Sequence, residues 1–260
     1  MPKQSDLKIK IFADGADLAG IKAMYAKSWI KGFTTNPTLM RKAGITDYKA
    51  FAQEVLRAVP DRPVSFEVFA DEFDEMESQA MEINSWGPNV NVKIPVTNTK
   101  RQFAGPLIRR LSEAGVQLNI TAVLTLDQVK GIAEHLAAKT PAIVSVFAGR
   151  IADTGTDPVP VMRQALSILK GKPKAELLWA SPRELLNIVQ ANEIGCHIIT
   201  ATHDILNKLS LIGKDHGDYS LETVEMFYRD ASAAGYTISC EKRALSAWDE
   251  TAQSGMGVAP

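Results

Sequence analysis

The stretch Asn89-Val90-Asn91-Val92-Lys93-Ile94-Pro95-Val96-Thr97 places branched apolar residues at every second position: Val90, Val92, Ile94 and Val96. Period two is the signature of a strand, and it turns Asn91, Lys93 and Pro95 to the opposite side. A lysine in the middle of such a strand is unusual, because lysine is rarely buried without a partner or a task. Burial disfavours the ammonium form, and a neutral amine can attack a carbonyl carbon. Lys93 is therefore a candidate Schiff-base nucleophile. A strand-end lysine that snorkels to solvent is the alternative reading.

Outward from this stretch, the same kind of element recurs along the chain. Alternating or continuous apolar runs predict strands over residues 8–14, 31–35, 63–69, 117–124, 142–148, 175–181 and 196–202 as well. Between them, apolar residues spaced by three and four predict helices over residues 17–28, 47–59, 72–86, 100–114 and 204–212, with others opening at Asn36-Pro37, Thr125 and Pro158 and one ending at Gly195. Residues 149–158 read as a loop. Eight strand-then-helix units in strict alternation predict a parallel sheet, and eight at this length suit a closed (β/α)8 TIM barrel of the α/β class. A doubly wound open sheet is the runner-up, but no Gly-x-Gly-x-x-Gly turn follows the first strand. The short second strand and the extra helix at 47–59 fit the repeat least well. An additional amphipathic helix over residues 221–233 follows the barrel. The expected organisation is one domain over residues 1–260, with the barrel at about 8–213 and the C-terminal helix and tail at about 218–260.

Composition narrows the partners. With 29 basic and 30 acidic residues, net charge gives no reason to expect nucleic acid or an anionic membrane. No apolar run is long enough to span a bilayer, and Met1-Pro2-Lys3-Gln4-Ser5-Asp6 lacks the apolar core of a signal peptide. Cys196 and Cys240 are far apart and match no metal spacing, which suits a reducing, cytoplasmic setting. His135, His197, His203 and His216 show no zinc arrangement, and neither a serine elbow nor a Walker loop is present. His203 reads best as a helix-start residue.

In a barrel enzyme the active site forms at the C-terminal strand ends, whereas the packed interior is apolar. Polar residues collect at those ends here: Asp14 on the first strand, Thr34-Thr35-Asn36 on the second and Glu67 on the third. Lys93 follows on the fourth, Asn119 and Thr121 on the fifth, Ser145 and then Arg150 on the sixth, and Ser181 with Arg183 on the seventh. Singly, Asp14 could be a helix cap and Thr121 a satisfied strand hydroxyl. Together they predict an active site. An amine forming an imine needs proton donors and acceptors, and Asp14 and Glu67 suit those roles. The arginines and Ser181 suit a phosphate or similar anion.

The segments Ala13-Asp14, Thr34-Thr35-Asn36-Pro37, Ser65-Phe66-Glu67-Val68, Val92-Lys93-Ile94-Pro95, Asn119-Ile120-Thr121, Phe147-Ala148-Gly149-Arg150-Ile151 and Ala180-Ser181 occur in the order seen in transaldolases. The chain resembles the short-chain branch of that family, which includes fructose-6-phosphate aldolases, over about residues 8–234. The resemblance implies transfer of a dihydroxyacetone unit from a ketose phosphate to an aldose phosphate, without a metal or organic cofactor. It implies Lys93 as the Schiff-base lysine and Asp14 as the acid/base for carbon–carbon cleavage. Glu67 and Thr121 would hold the water that shuttles protons. Asn36 and Asn119, with Thr35 beside them, would bind substrate hydroxyls, with Ser145 near the dihydroxyacetone end. Arg150, Ser181 and Arg183 would bind the sugar's phosphate, and Phe147 would line the site. Glu67 and Phe147 match transaldolases, where the aldolases carry glutamine and tyrosine. The resemblance also implies a homo-oligomer, a pentamer or decamer, in which the last helix packs on a neighbour.

Some features depart from the family pattern. Gly15-Ala16 follows Asp14 where a threonine or serine is usual, and Pro182 stands between Ser181 and Arg183. These departures leave the anion open, a sulfonated sugar included. Release of free dihydroxyacetone, or mere binding of sugar phosphates, are the alternative functions.

Overall fold

Residues 4–239 are described by a computed structural model of the chain. Eight parallel strands close into a barrel in sequence order: β1 (Lys10–Asp14), β2 (Ile30–Thr34), β3 (Val64–Glu67), β4 (Val90–Pro95), β5 (Leu118–Val123), β6 (Ala142–Val146), β7 (Ala175–Trp179) and β8 (Ile198–Thr202). Closure is made by β1 against β8, with Lys10 opposite Ile198 and Asp14 opposite Thr202. The expected TIM barrel is the observed fold. All the strands except β2 are shorter than their apolar runs, because a run continues into the turns that cover the barrel ends.

The barrel is held by two apolar layers. Val90, Val92, Ile94 and Val96, the residues of the opening pattern, are all buried in the larger core with the helices outside. Each such side chain contributes about 1.5–3 kcal/mol on burial, so the alternation anchors the strand register. A smaller cluster, Phe12, Ile143, Leu178, Ala180 and Ile198, comes from β1, β6, β7 and β8 and the residue after β7. Phe12 lies against Gly32 so closely that a Cβ there would sit 2.5 Å from its ring. Glycine is required at that point of β2 by its neighbour.

The helices of the first seven units are α1 (Leu18–Tyr25), α2 (Pro37–Lys42) with α3 (Tyr48–Ala58), α4 (Phe73–Asn84), α5 (Gly105–Glu113), α6 (Leu126–His135), α7 (Ala148–Ala152) with α8 (Pro158–Leu169), and α9 (Leu186–Glu193). α10 (His203–Leu206) follows β8. Side-chain caps start several of them: Asp17, Asn36, Asp47, Thr125 and Asp157 each accept a backbone N–H of the first turn. Gly115 and Gly195 adopt φ of 84° and 75° where α5 and α9 stop.

Three expectations are corrected. Residues 149–158 are not a loop throughout, since α7 occupies their start. The helix expected from residue 100 begins at Gly105, because the Asn98 side chain accepts Gln102 N–H at 2.9 Å and closes a turn there. The helix expected over 204–212 is the single turn of α10 followed by a 3-10 turn at Leu209–Leu211.

The described chain divides after Ile212 into two compact units. In the second unit, α11 (His216–Ala233) starts earlier than the apolar stripe suggested. Asp215 caps it by accepting from Gly217 N and Asp218 N. None of its side chains is buried. Most of the expected tail, Cys240 included, lies outside the described residues.

Candidate active site

Parallel register sets the centre of the site. Glu67 on β3 is opposite Lys93 on β4, and Lys93 is opposite Asn119 on β5, so the three form a row across neighbouring strands. Lys93 is 7% exposed. Its Nζ lies 3.1 Å from Glu67 Oε2 and donates to the Thr35 carbonyl at 2.9 Å. A buried ion pair is weak evidence for stability, since desolvating both charges offsets much of their attraction. The pair therefore invites a functional account. Lys93 faces a cavity of about 530 Å³ that it shares with Asp14, Glu67, Asn119, Thr121 and Ser145. This size suits a small-molecule ligand.

Asp14 ends β1 and is held from two sides. Thr34 Oγ1 donates to its Oδ1 at 2.8 Å, and Thr200 Oγ1 lies 2.6 Å behind Thr34 Oγ1. A hydroxyl has one proton, so if Thr34 donates to Asp14, Thr200 is the donor to Thr34. Asn36 Oδ1 accepts the Leu39 N–H as the cap of α2, which leaves its Nδ2 facing Asp14 Oδ2 at 3.5 Å. Burial pushes the Asp14 carboxyl above the ordinary carboxylate range; the neighbouring Lys93 and the Thr34 bond pull the other way without cancelling it.

On the far side of Lys93, Ser145 Oγ donates to Asn119 Oδ1 at 2.6 Å, and Asn119 Nδ2 donates to Ser65 Oγ at 3.0 Å. This chain orients the Asn119 amide. Thr121 Oγ1 is buried in the cavity wall with no protein hydrogen-bond partner. A buried hydroxyl in that state is suited to a water or a substrate oxygen. Ala122 beside it adopts φ +60°, where the β5–β6 register shifts between Ile120 and Val123. A left-handed alanine is strained, and such strain clusters at ligand-facing positions.

The other end of the cavity is built outside the strands. Phe147, Arg150, Ser181 and Arg183 line it; Lys42 from the last turn of α2 also lines the cavity. The Arg150 guanidinium lies 5.8 Å from the Phe147 ring centroid. Arg183 Nη1 donates to Ser181 Oγ at 2.9 Å and to Ser181 O at 3.1 Å. Its Nε donates to Asp153 Oδ1 at 2.8 Å, and its Nη2 bonds the other Asp153 oxygen. This hydrogen bond lowers the Asp153 carboxyl and raises the Arg183 guanidinium.

Of the residues read from sequence, all but Thr35 line this one cavity. The Thr35 hydroxyl donates to Ser65 O at 3.0 Å, so its carbonyl, turned to Lys93, is what it offers the site. His203 is the first residue of α10, as expected; its ring fills the space beside Gly20, where a Cβ would come within 2.5 Å of it. Sequence reasoning missed Thr34 as the partner of Asp14, Thr200 behind it, Lys42 on the cavity wall, and Asp153. It also missed Tyr48, whose hydroxyl accepts the Glu67 N–H at 2.7 Å and donates to Glu67 O at 3.0 Å. Period-two polarity could have singled out Thr200, which follows Ile198 on one face. Nothing local marks Tyr48 or Asp153, because their partners are distant in sequence. Among the described residues, no three of His, Cys, Asp and Glu gather as a metal site would require.

An eight-stranded parallel barrel with a lysine-centred polar cavity at its carboxyl strand ends defines the class of protein. The family model for Transaldolase/Fructose-6-phosphate aldolase matches residues 11–253, and the chain belongs to that family. It is 36% identical over 202 residues to a probable transaldolase of Dehalococcoides mccartyi, covering 77% of this chain and 90% of that protein. It is 34% identical over 203 residues to probable transaldolase 2 of Listeria monocytogenes, covering 77% and 88%. A dihydrodipicolinate synthase from Rhodopseudomonas palustris shares the fold, with TM-score 0.55 and 15% identity over 88% of this chain and 81% of that one.

Proposed function

We propose that the protein is a transaldolase acting through an imine on Lys93. The donor is a ketose phosphate, such as fructose 6-phosphate or sedoheptulose 7-phosphate, and the acceptor an aldose phosphate. The observation that carries this reading is the buried Lys93 amine, 3.1 Å from the Glu67 carboxylate and facing the same cavity as Asp14.

In this reading Glu67 takes a proton from Lys93, and Nζ adds to the ketose carbonyl carbon. The carbinolamine oxygen leaves as water with protons supplied through Glu67, and the Thr121 hydroxyl holds that oxygen. Asp14 then removes the proton from the hydroxyl on the carbon beyond the bond to be broken. The carbon–carbon bond cleaves, its electrons pass into the iminium to give an enamine, and the shortened aldose phosphate departs. The enamine attacks the acceptor aldehyde, Asp14 returns its proton, and hydrolysis frees Lys93. The raised Asp14 carboxyl suits a group that must both take and return a proton. Phe147 and Glu67 support transfer over release of dihydroxyacetone, because a phenyl ring offers no proton to the enamine.

The partners follow from the same reading. The substrates are small phosphorylated sugars, and on this reading the reaction belongs to the cytoplasm. No described helix is long and apolar enough to cross a membrane. Leu221, Val224, Phe227 and Tyr228 of α11 are 59–75% exposed, which supports a homo-oligomer in which a second copy covers them.

Borohydride reduction with fructose 6-phosphate tests the proposal. A three-carbon adduct on the Lys93 peptide, read by mass, is the expected result. An adduct on another lysine, or none with any ketose, would falsify it. Turnover without an acceptor aldehyde would favour the aldolase reading, and a screen pairing phosphate with sulfonate sugars identifies the anion.

A further inference from the structure

We propose that Asp153 is a positioning residue for the anion-binding end of the cavity, acting through Arg183 and Ser181. The inference rests on the reading of Arg150, Ser181 and Arg183 as the contacts for the substrate's terminal phosphate.

The argument is an inventory of donors. A guanidinium has five N–H groups in a fixed planar fork. In Arg183, Nε and one N–H of Nη2 go to Asp153, while Nη1 serves Ser181 Oγ at 2.9 Å and Ser181 O at 3.1 Å. One N–H, on Nη2, remains for a ligand. Because Ser181 Oγ accepts from Arg183, its own proton is free to be donated as well. Arg183 therefore gives an anion a single bond and presents the Ser181 hydroxyl beside it. The bidentate contact falls to Arg150.

Asp153 is not among the residues lining the cavity. It caps the end of α7, three residues after Arg150, so one short helix carries both Arg150, whose charge also acts on Asp153, and the carboxylate that holds Arg183. That helix is pressed against the β7 loop. A Cβ on Gly149 would lie 1.6 Å from Ser181 O, a contact only glycine permits. Ser181 itself has φ +60°, a strained conformation for serine, and the two Nη1 bonds hold it there. Asp153 thus clamps Arg183, Arg183 clamps Ser181, and the Arg150 helix is seated on the same carbonyl.

A competing role predicts the opposite sign. If Asp153 only offset positive charge, removing it would strengthen anion binding. Calorimetric titration of the purified protein with inorganic phosphate separates the two. Asp153→Asn should weaken phosphate binding about tenfold, and Asp153→Glu should recover part of the loss. Arg183→Lys should lose as much as Asp153→Asn, because an ammonium cannot bridge Asp153 and Ser181 together. In turnover, Asp153→Asn should raise KM for the phosphorylated donor by the same factor and keep kcat within about twofold. Phosphate binding by Asp153→Asn that equals or exceeds wild type would overturn the proposal, as would a wild type that binds no phosphate. Should Asp153→Asn not fold, the Asp153→Glu and Arg183→Lys titrations decide, and wild-type affinity in Arg183→Lys overturns it. Phosphate binding needs no turnover. A protein that binds it in this Asp153-dependent way but forms no adduct at Lys93 would sink the imine reading and leave this one standing.

Discussion

The two ends of the cavity are built by different means. Around Lys93 the side chains come from neighbouring strands in register, Glu67 beside Lys93 beside Asn119, and Lys93 is 7% exposed. Around Arg183 they come from α7 and the segment after β7, and Arg183 and Asp153 are 44% and 50% exposed at their side chains. The first end is rigid because each strand is anchored by its own apolar alternation. The second depends on a glycine contact, a left-handed serine and an ion pair open to solvent. Chemistry that needs tight geometry is expected at the first, and substrate choice, which a loop can change cheaply, at the second.

The largest expected effect tests that division. Lys93→Met should reduce turnover by about four orders of magnitude or more and abolish the borohydride adduct. It should still bind inorganic phosphate, because the anion end shares no strand with Lys93. Loss of phosphate binding in a folded Lys93→Met protein would mean that the two ends are coupled. That variant also leaves Glu67 without its cation, so its melting temperature should fall and recover in Lys93→Met/Glu67→Gln.

Asp14→Asn comes next, with kcat lowered about 10²–10⁴-fold. Its effect on stability has the opposite sign. The folded carboxyl titrates above its unfolded value, so its contribution to stability is present below the ordinary aspartate range and lost as pH rises through the raised value. At neutral pH the ionised group therefore weakens the fold. Asparagine should raise the melting temperature by about 2–4 °C, measured by calorimetry, and a fall would contradict the direction given for Asp14.

The same shift predicts the pH profile. The acid limb of kcat/KM should lie above the ordinary aspartate range and should change in the residual activity of Asp14→Asn. A limb at the usual carboxylate value would assign the base elsewhere. The smallest effect belongs to the open end. Arg150→Ala should raise KM for the phosphorylated donor about 10–100-fold, the worth of a charge-assisted contact, with kcat and trapping at saturating donor little changed. Failure to form imine at saturation would move Arg150 to the closed end and remove the contrast.

This difference also explains what could be read before the structure. Period-two patterning marks strands and their inward polar residues, so Lys93, Glu67 and Asn119 were visible as a set. Helical spacing and caps located most of the outer layer. The turn of α7 was missed because a five-residue helix is too short for periodicity. Tyr48 was missed because α3 read as a flaw in the repeat. The bulge that gives Ala122 a φ of +60° and turns the Thr121 wall has no marker in Thr121-Ala122-Val123, since neither glycine nor asparagine stands there.

Eight apolar strands in alternation are enough to specify the barrel, and their order brings a lysine and two carboxylates to the carboxyl strand ends. Those are properties of local period and order, which backbone geometry converts directly into faces. Folding in three dimensions is what brings Glu67 to 3.1 Å from Lys93, turns the Thr35 carbonyl and not its hydroxyl to the amine, and sets Asp153 on Arg183. These contacts join residues 26, 58 and 30 positions apart. Their geometry is set by strand register and loop packing, and no window of sequence contains both partners.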